Sequence, residues 1–227
     1  MSSESVLREL RSHGDPAAVK GMARFGISSS NTLGLSIPTI RSIAKRVGKD
    51  HRVAQGLWES GTHEARILAA LVDEPSKVNE TQMERWVSEF DSWDVCDGCC
   101  GNLFDKTPFA FAKALQWSRR KEEFVKRAGY VLMAELAVHD KDAPDKAFLQ
   151  FFPYLKRGST DPRNFVKKAV NWAIRQIGKR NLKLNREAQK LAGSISDLDS
   201  PSARWVASDA LRELRSEAVQ KKLRRSS

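Results

Sequence analysis

Cysteine is scarce and badly placed for cross-linking: the chain has three, Cys96, Cys99 and Cys100, two of them adjacent. Such a set is a poor disulfide framework and fits a reducing cytosol. Cys96-x-x-Cys99 invites a zinc reading, but structural zinc commonly takes two spaced ligand pairs. No second pair exists, and His13, His51, His63 and His139 are scattered singly. No metal and no cofactor is therefore expected. Uninterrupted apolar runs of about twenty residues are absent, so no membrane span and no membrane partner are expected. Met1–Arg8 lacks the basic-then-apolar pattern of a signal peptide. Without a Gly-rich phosphate loop or a nucleophile elbow, nucleotide hydrolysis and serine hydrolysis have no support.

Acidic residues are also in deficit. The 227-residue chain carries 28 Asp and Glu against 39 Lys and Arg, a formal charge of +11. The usual partner for such an excess is a phosphate polymer, the alternative being a basic protein with no nucleic-acid role. What is present suits a packed core: 41% apolar residues, six Trp and ten Phe. Eight Pro and thirteen Gly sit mostly between periodic segments.

Nearly every segment reads as helix and none reads as strand. Val6, Leu7 and Leu10 mark a short first helix. Asp15-Pro16 caps a second, which carries Val19, Met22 and Phe25. A polar loop, Gly26–Gly34, leads to Ser36-Ile-Pro38 and a helix through Ile40, Ile43 and Val47 that stops at Gly48. Further helices are predicted over Val53–Ser60, His63–Val72, Glu80–Phe90, Ser92–Asp105, Pro108–Trp117 and Lys121–Val138. The last four cover Pro144–Leu155, Pro162–Gly178, Asn185–Ala192 and Pro201–Leu223. The basic tail, about residues 219–227, is expected to fray. Short loops with Gly or Pro at the junctions indicate antiparallel helix pairs, an all-α fold.

Phe124-Val-Lys-Arg-Ala128 recurs 41 residues later as Phe165-Val-Lys-Lys-Ala169. Glu64–Ala70 and Ser202–Ala207 are looser relatives. A period of about 40 to 47 in a helical chain is the HEAT/armadillo range. This predicts one α-solenoid domain over residues 1–227, with five or six helix pairs and the second helix of each lining a concave basic groove. Those inner helices would carry Arg66, Trp93 with Asp97, Arg127, Trp172 with Arg175, and Arg204 with Trp205.

Trp93 and Asp97 lie in Asp91–Cys100 as an i,i+4 pair and share a helix face. Taken alone, they read equally as core and cap, or as an exposed indole beside a carboxylate awaiting something cationic or sugar-like. Among guanidiniums that suit bidentate phosphate contact, a lone carboxylate would only repel a phosphate polymer. It becomes useful if positive charge develops on the ligand, as in cleavage of an N-glycosidic bond. The bland alternative is an Asp paired with a neighbouring base. Cys96 and Cys100 read as small core residues.

Several stretches together resemble the HEAT-like-repeat DNA glycosylases of the DNA alkylation repair family. They are Met22-Ala-Arg-Phe25, Ser36–Lys45, Ser92-Trp-Asp-Val-Cys-Asp97, Val125-Lys-Arg-Ala128 and Val166–Arg175. The resemblance implies a glycosylase that removes positively charged N3- or N7-alkylated purines from double-stranded DNA without drawing the base into a pocket. It implies Asp97 as the catalytic carboxylate, Trp93 and Trp172 as the cradle of the lesion deoxyribose, and Arg127 as a grip on the nearby backbone. Phe25 takes the place of an aromatic, more usually Tyr, in the lesion-facing region. Arg66, Lys168 and Arg175 are further candidates for backbone contact. A monomer in the cytoplasm, associated with the nucleoid, is the matching expectation. Two other readings stand beside it: a catalytically silent DNA-binding member of the same family, and a protein-interaction scaffold.

Overall fold

Fifteen α-helices and three short 3-10 turns account for most of the protein's structure, a computed structural model that describes residues 1–27 and 30–225. Among the described residues there is no strand, and no helix is long and apolar enough to cross a membrane. Of the predicted loop Gly26–Gly34, Ser28 and Ser29 lie outside the described residues, as do Ser226 and Ser227 of the tail. The helices fall into two compact units, residues 1–108 and 109–227.

The first unit contains α1 (Ser3–Ser12), α2 (Pro16–Met22), α3 (Ile37–Val47), α4 (His51–Glu59), α5 (His63–Val72), α6 (Glu80–Ser88) and α7 (Trp93–Asn102). Its punctuation is local chemistry. Asp15 accepts from the amides of Ala17 and Ala18 ahead of Pro16, and Ser36 accepts from Thr39 N ahead of Pro38. Each thus satisfies donors that the first helical turn leaves without partners. Gly48 ends α3 at φ 75°, a left-handed conformation that glycine adopts without penalty. At the centre is α5, which packs on α1, α3, α4 and α7. Its small apolar residues Ala65, Ala69 and Ala70 are wholly buried and let neighbouring helices approach closely. Beside it Trp58 and Trp86 stack with ring centroids 4.0 Å apart.

Glu64 lies on α5 with no exposed surface. Its carboxylate accepts from the backbone amides of Leu33 (2.9 Å), Gly34 (2.6 Å) and Leu35 (3.2 Å). A buried charge needs such compensation, and the bonds tie the segment before α3 to the central helix.

The second unit contains α8 (Ala110–Trp117), α9 (Glu123–His139), α10 (Asp145–Leu149), α11 (Phe152–Gly158), α12 (Asn164–Gly178), α13 (Leu182–Ser196), α14 (Pro201–Leu214) and α15 (Glu217–Arg225). The echoed segments open α9 and α12, and these helices run side by side in the same direction. At their starts Arg163 Nη1 donates to Lys121 O at 2.7 Å, and Lys126 reaches Asp161 at 2.8 Å. Just inside, the rings of Phe124 and Phe165 lie 5.5 Å apart. The next step repeats the relation: Ser202 Oγ donates to Asp161 O (2.7 Å) and Asn171 Nδ2 to Val206 O (3.1 Å), setting α14 parallel to α12. The 41-residue echo is therefore a real translation from one helix to its spatial neighbour.

Several predicted boundaries shift by one to three residues, and four expectations change more. The helix expected over Pro144–Leu155 is two, α10 and α11, with Pro153 in the first turn of α11, where its missing N–H costs nothing but cannot continue a preceding helix. The helix expected over Pro201–Leu223 breaks between α14 and α15, where Ser216 Oγ donates to Glu213 O and accepts from Val219 N. A local side-chain bond of this kind competes with the continuous ladder. The expected Asn185–Ala192 helix runs longer, from an Asn181 cap to Ser196. The tail does not fray where described: α15 reaches Arg225 with Leu223 only 3% exposed.

Candidate nucleic-acid interface

In the first unit, Trp93 opens α7 and Asp97 follows one turn later, both half-buried. The same helix turns Val95, Cys96, Cys99 and Cys100 inward with no exposed surface, and Trp93 and Asp97, one turn apart, sit at the edge of that buried face. Neither core nor full solvent describes them. Trp93 Nε1 donates to the carbonyl oxygen of Phe25 at 3.1 Å, and Phe25 is 66% exposed. Two predicted site residues 68 positions apart are thereby brought together. Burial pushes the thiols of Cys99 and Cys100 up, as do neighbouring thiols and, for Cys100, the charge of Asp97. Thiols so held are poor nucleophiles. Among the described residues no group of three or more His, Cys, Asp or Glu is placed to hold a metal ion.

Arg66 sits on α5 and points at the entrance to α7. Its Nη1 donates to Glu89 O and its Nη2 to Glu89 Oε2, each at 2.9 Å, and the guanidinium lies 5.1 Å from the Trp58 ring centroid. Trp58 Nε1 reaches the same Glu89 oxygen at 2.9 Å. This is a cross-helix brace.

Sequence reasoning passed over one pair. His63 Nε2 and Asp94 Oδ2 are 2.9 Å apart, joining the first turn of α5 to the first turn of α7. The His63 side chain is 5% exposed and that of Asp94 15%. Burial opposes charge on His63, but the hydrogen bond and charge of Asp94, with Glu64 and Asp91 behind, outweigh it and hold the imidazole above its usual pKa. Burial likewise opposes charge on Asp94, and the His63 bond holds its carboxyl below the usual range. The pair borders a cavity of about 550 Å³ that also meets Asp15, Gly34 and Ser36. No local pattern announces it, because the partners lie 31 residues apart on separate helices.

In the second unit, Trp172 is half-buried on α12, one turn beyond the exposed Lys168. Arg175 is ion-paired with Glu213, which Lys179 Nζ reaches at 2.6 Å. Burial alone would raise the Glu213 pKa, but these two cations hold it below its usual value. Arg127, on α9, is only 6% exposed and its Nη1 donates to Phe165 O at 2.6 Å, at the start of α12. On α14, Arg204 and Trp205 are both exposed. Of the eight predicted site residues, then, Phe25 and Lys168 are exposed, and Trp93, Asp97 and Trp172 are half-buried. Arg66, Arg127 and Arg175 are engaged with protein acceptors.

An uncharacterized protein of Listeria innocua is 27% identical over 147 residues, 63% of this chain and 64% of the relative's own length, just under two thirds. An uncharacterized protein of Listeria monocytogenes is 24% identical over 191 residues, 82% of this chain and 83% of the relative. One solved structure superposes on all of this chain and 95% of its own at a TM-score of 0.76 and 18% identity. It is described as a new family of proteins related to the HEAT-like repeat DNA glycosylases with affinity for branched DNA structures. At that identity the likeness speaks for fold: all-α, of the HEAT-like repeat kind. The family profile of DNA alkylation repair enzymes matches residues 6–217. The chain belongs to the DNA alkylation repair enzyme family.

Proposed function

We propose that this protein is a DNA glycosylase that releases positively charged N3- and N7-alkylated purines from duplex DNA. The proposal includes a single solenoid over residues 1–227 whose inner helices line a basic groove. The observation that carries it is on α7: a half-buried carboxylate, Asp97, one turn from a half-buried indole, Trp93. That surrounding suits a charge that must face a ligand without being fully hydrated.

An alkylated purine already carries positive charge, so it departs with the electrons of its bond to the sugar and needs no general acid. The sugar is left oxocarbenium-like. A fixed carboxylate stabilises that cation and aims the water that adds to it. Indole faces suit the same species, which is the role proposed for Trp93 and Trp172, with exposed Phe25 held beside Trp93. Lys168 is positioned for a phosphate. Arg66 and Arg175 would have to exchange their present acceptors for one.

The test is release of methylated purine from methylated duplex DNA. Asp97→Asn is expected to lower the rate by about a hundredfold or more, the scale seen when one charge-stabilising group is removed from an active site. Equal release by wild type and variant would sink the mechanism.

A second reading, a DNA-binding member without base excision, is favoured by Arg127. The guanidinium expected to grip the backbone is 6% exposed and bonded to Phe165 O. The structural relative's stated affinity for branched DNA fits this reading too. It predicts salt-sensitive DNA binding with no base released from any alkylated substrate.

A further inference from the structure

Of the six tryptophans, Trp58, Trp86 and Trp117 are buried, Trp93 and Trp172 half-buried, and Trp205 alone is exposed, at 40%. The parallel alignment of α12 and α14 fixes what surrounds it. With Ser202 Oγ bonded to Asp161 O and Asn171 Nδ2 to Val206 O, the residues aligned with Trp205 on α12 are Lys167 and Lys168. Lys167 Nζ lies 5.4 Å from the Trp205 ring centroid. Lys168 is exposed, and so is Arg204, the residue before Trp205. Two carboxylates lie close in sequence: Asp199, 3.5 Å from Arg204 with both open to solvent, and Asp209, one turn along α14 from Trp205 and ion-paired with Arg212. Screening by water makes the first pair weak.

The exposed ring leaves apolar surface in water, which the cation–π contact with Lys167 only partly offsets. The ring and these cations match a ligand that offers flat π faces and a run of negative charge. Trp172 stands one turn along α12 from Lys168 and is half-buried.

We propose that Trp205 is a stacking platform for an unpaired base, with Lys167, Lys168 and Arg204 holding the phosphates of that strand. The inference rests on the reading of this protein as a DNA-binding repair protein and extends it from duplex to locally unpaired DNA. Lys167 swings from the ring to a phosphate as the base takes its place. Every base has a π face, so the site selects strandedness and not sequence.

The test compares a fully paired duplex with the same duplex carrying a short single-stranded overhang, binding measured by anisotropy for wild type, Trp205→Ala and Trp205→Phe. Because the side chain is exposed, these variants should fold, and circular dichroism checks that they do. Wild type is expected to prefer the overhang substrate. Trp205→Ala should lose about tenfold there, within the range found when a stacking aromatic is truncated, and less than about twofold on the paired duplex, while Trp205→Phe keeps most of the preference. An equal loss on both substrates, or none on either, overturns the platform. So does an acidic peptide that displaces the overhang DNA from Trp205 more effectively than single-stranded DNA does. If wild type binds no duplex, the DNA-binding reading falls and this inference with it. Duplex binding that persists without a Trp205-dependent preference removes the inference alone.

Discussion

Single residues carry most of what local patterns left hidden. His63 looks like one of four scattered histidines, yet it forms a nearly enclosed pair with Asp94 at 2.9 Å. The pair makes stability depend on pH in a definite direction. The His63 pKa is raised by folding, so its contribution is complete below its unfolded value, about 6.5, and fades as pH climbs through the higher folded value. The Asp94 pKa is lowered, so its contribution is complete above about 4 and is lost only as pH falls through the still lower folded value. Between those limits the pair is worth most. Melting curves of wild type and His63→Gln should therefore differ more at pH 6 than at pH 9. A gap that stays constant across that interval would mean that the pair does not titrate as an ion pair. Glu64, next in sequence, is wholly buried under three amides. Both contacts join residues about thirty positions apart and leave no mark on local periodicity.

Elements were more legible, for a physical reason: helix boundaries are set by nearest-neighbour chemistry. Asp15 and Ser36 serve as caps and Gly48 as a stop, as their residue types suggest. His63–Val72 forms over the span its apolar spacing predicts. Errors fell where a weaker local device interrupted a continuing apolar pattern, at Pro153 and Ser216. For the site, the i,i+4 relation of Trp93 and Asp97 was legible because it lies within one helix. The contact of Trp93 with Phe25 was not, and neither was the engagement of Arg127 with Phe165.

One segment between elements makes a sharp prediction. Gly34 has φ 87°, and a Cβ there would sit 2.2 Å from the backbone oxygen of Asp15. Its amide gives the shortest of the three bonds to Glu64. Gly34→Ala should thus pay for both an unfavourable conformation and a backbone collision, costing about 2 kcal/mol or more. Chemical denaturation would read this directly, and a loss below about 0.5 kcal/mol would show that the segment can relax away from Asp15.

At the scale of the whole molecule the question is whether +11 acts as a diffuse charge or through one face. Diffuse attraction would make exposed lysines interchangeable. The proposed interface predicts that they differ: Lys168 stands on α12 with Trp172, next to the Lys167 that lies 5.4 Å from the Trp205 ring, whereas Lys190 stands on α13, paired with Glu187 at 2.8 Å. Binding to a phosphate polymer releases counterions, so the logarithm of affinity falls against the logarithm of salt with a slope of about −0.9 per phosphate neutralised. Lys168→Ala should make that slope shallower by about 0.9, the loss of one phosphate contact. Lys190→Ala should leave it unchanged, although it removes the same formal charge. Equal slopes for the two variants would assign binding to net charge and remove Lys168 from the interface. A shallower slope for Lys168→Ala alone would place the bound strand along α12, where a half-buried indole and an exposed one already flank it.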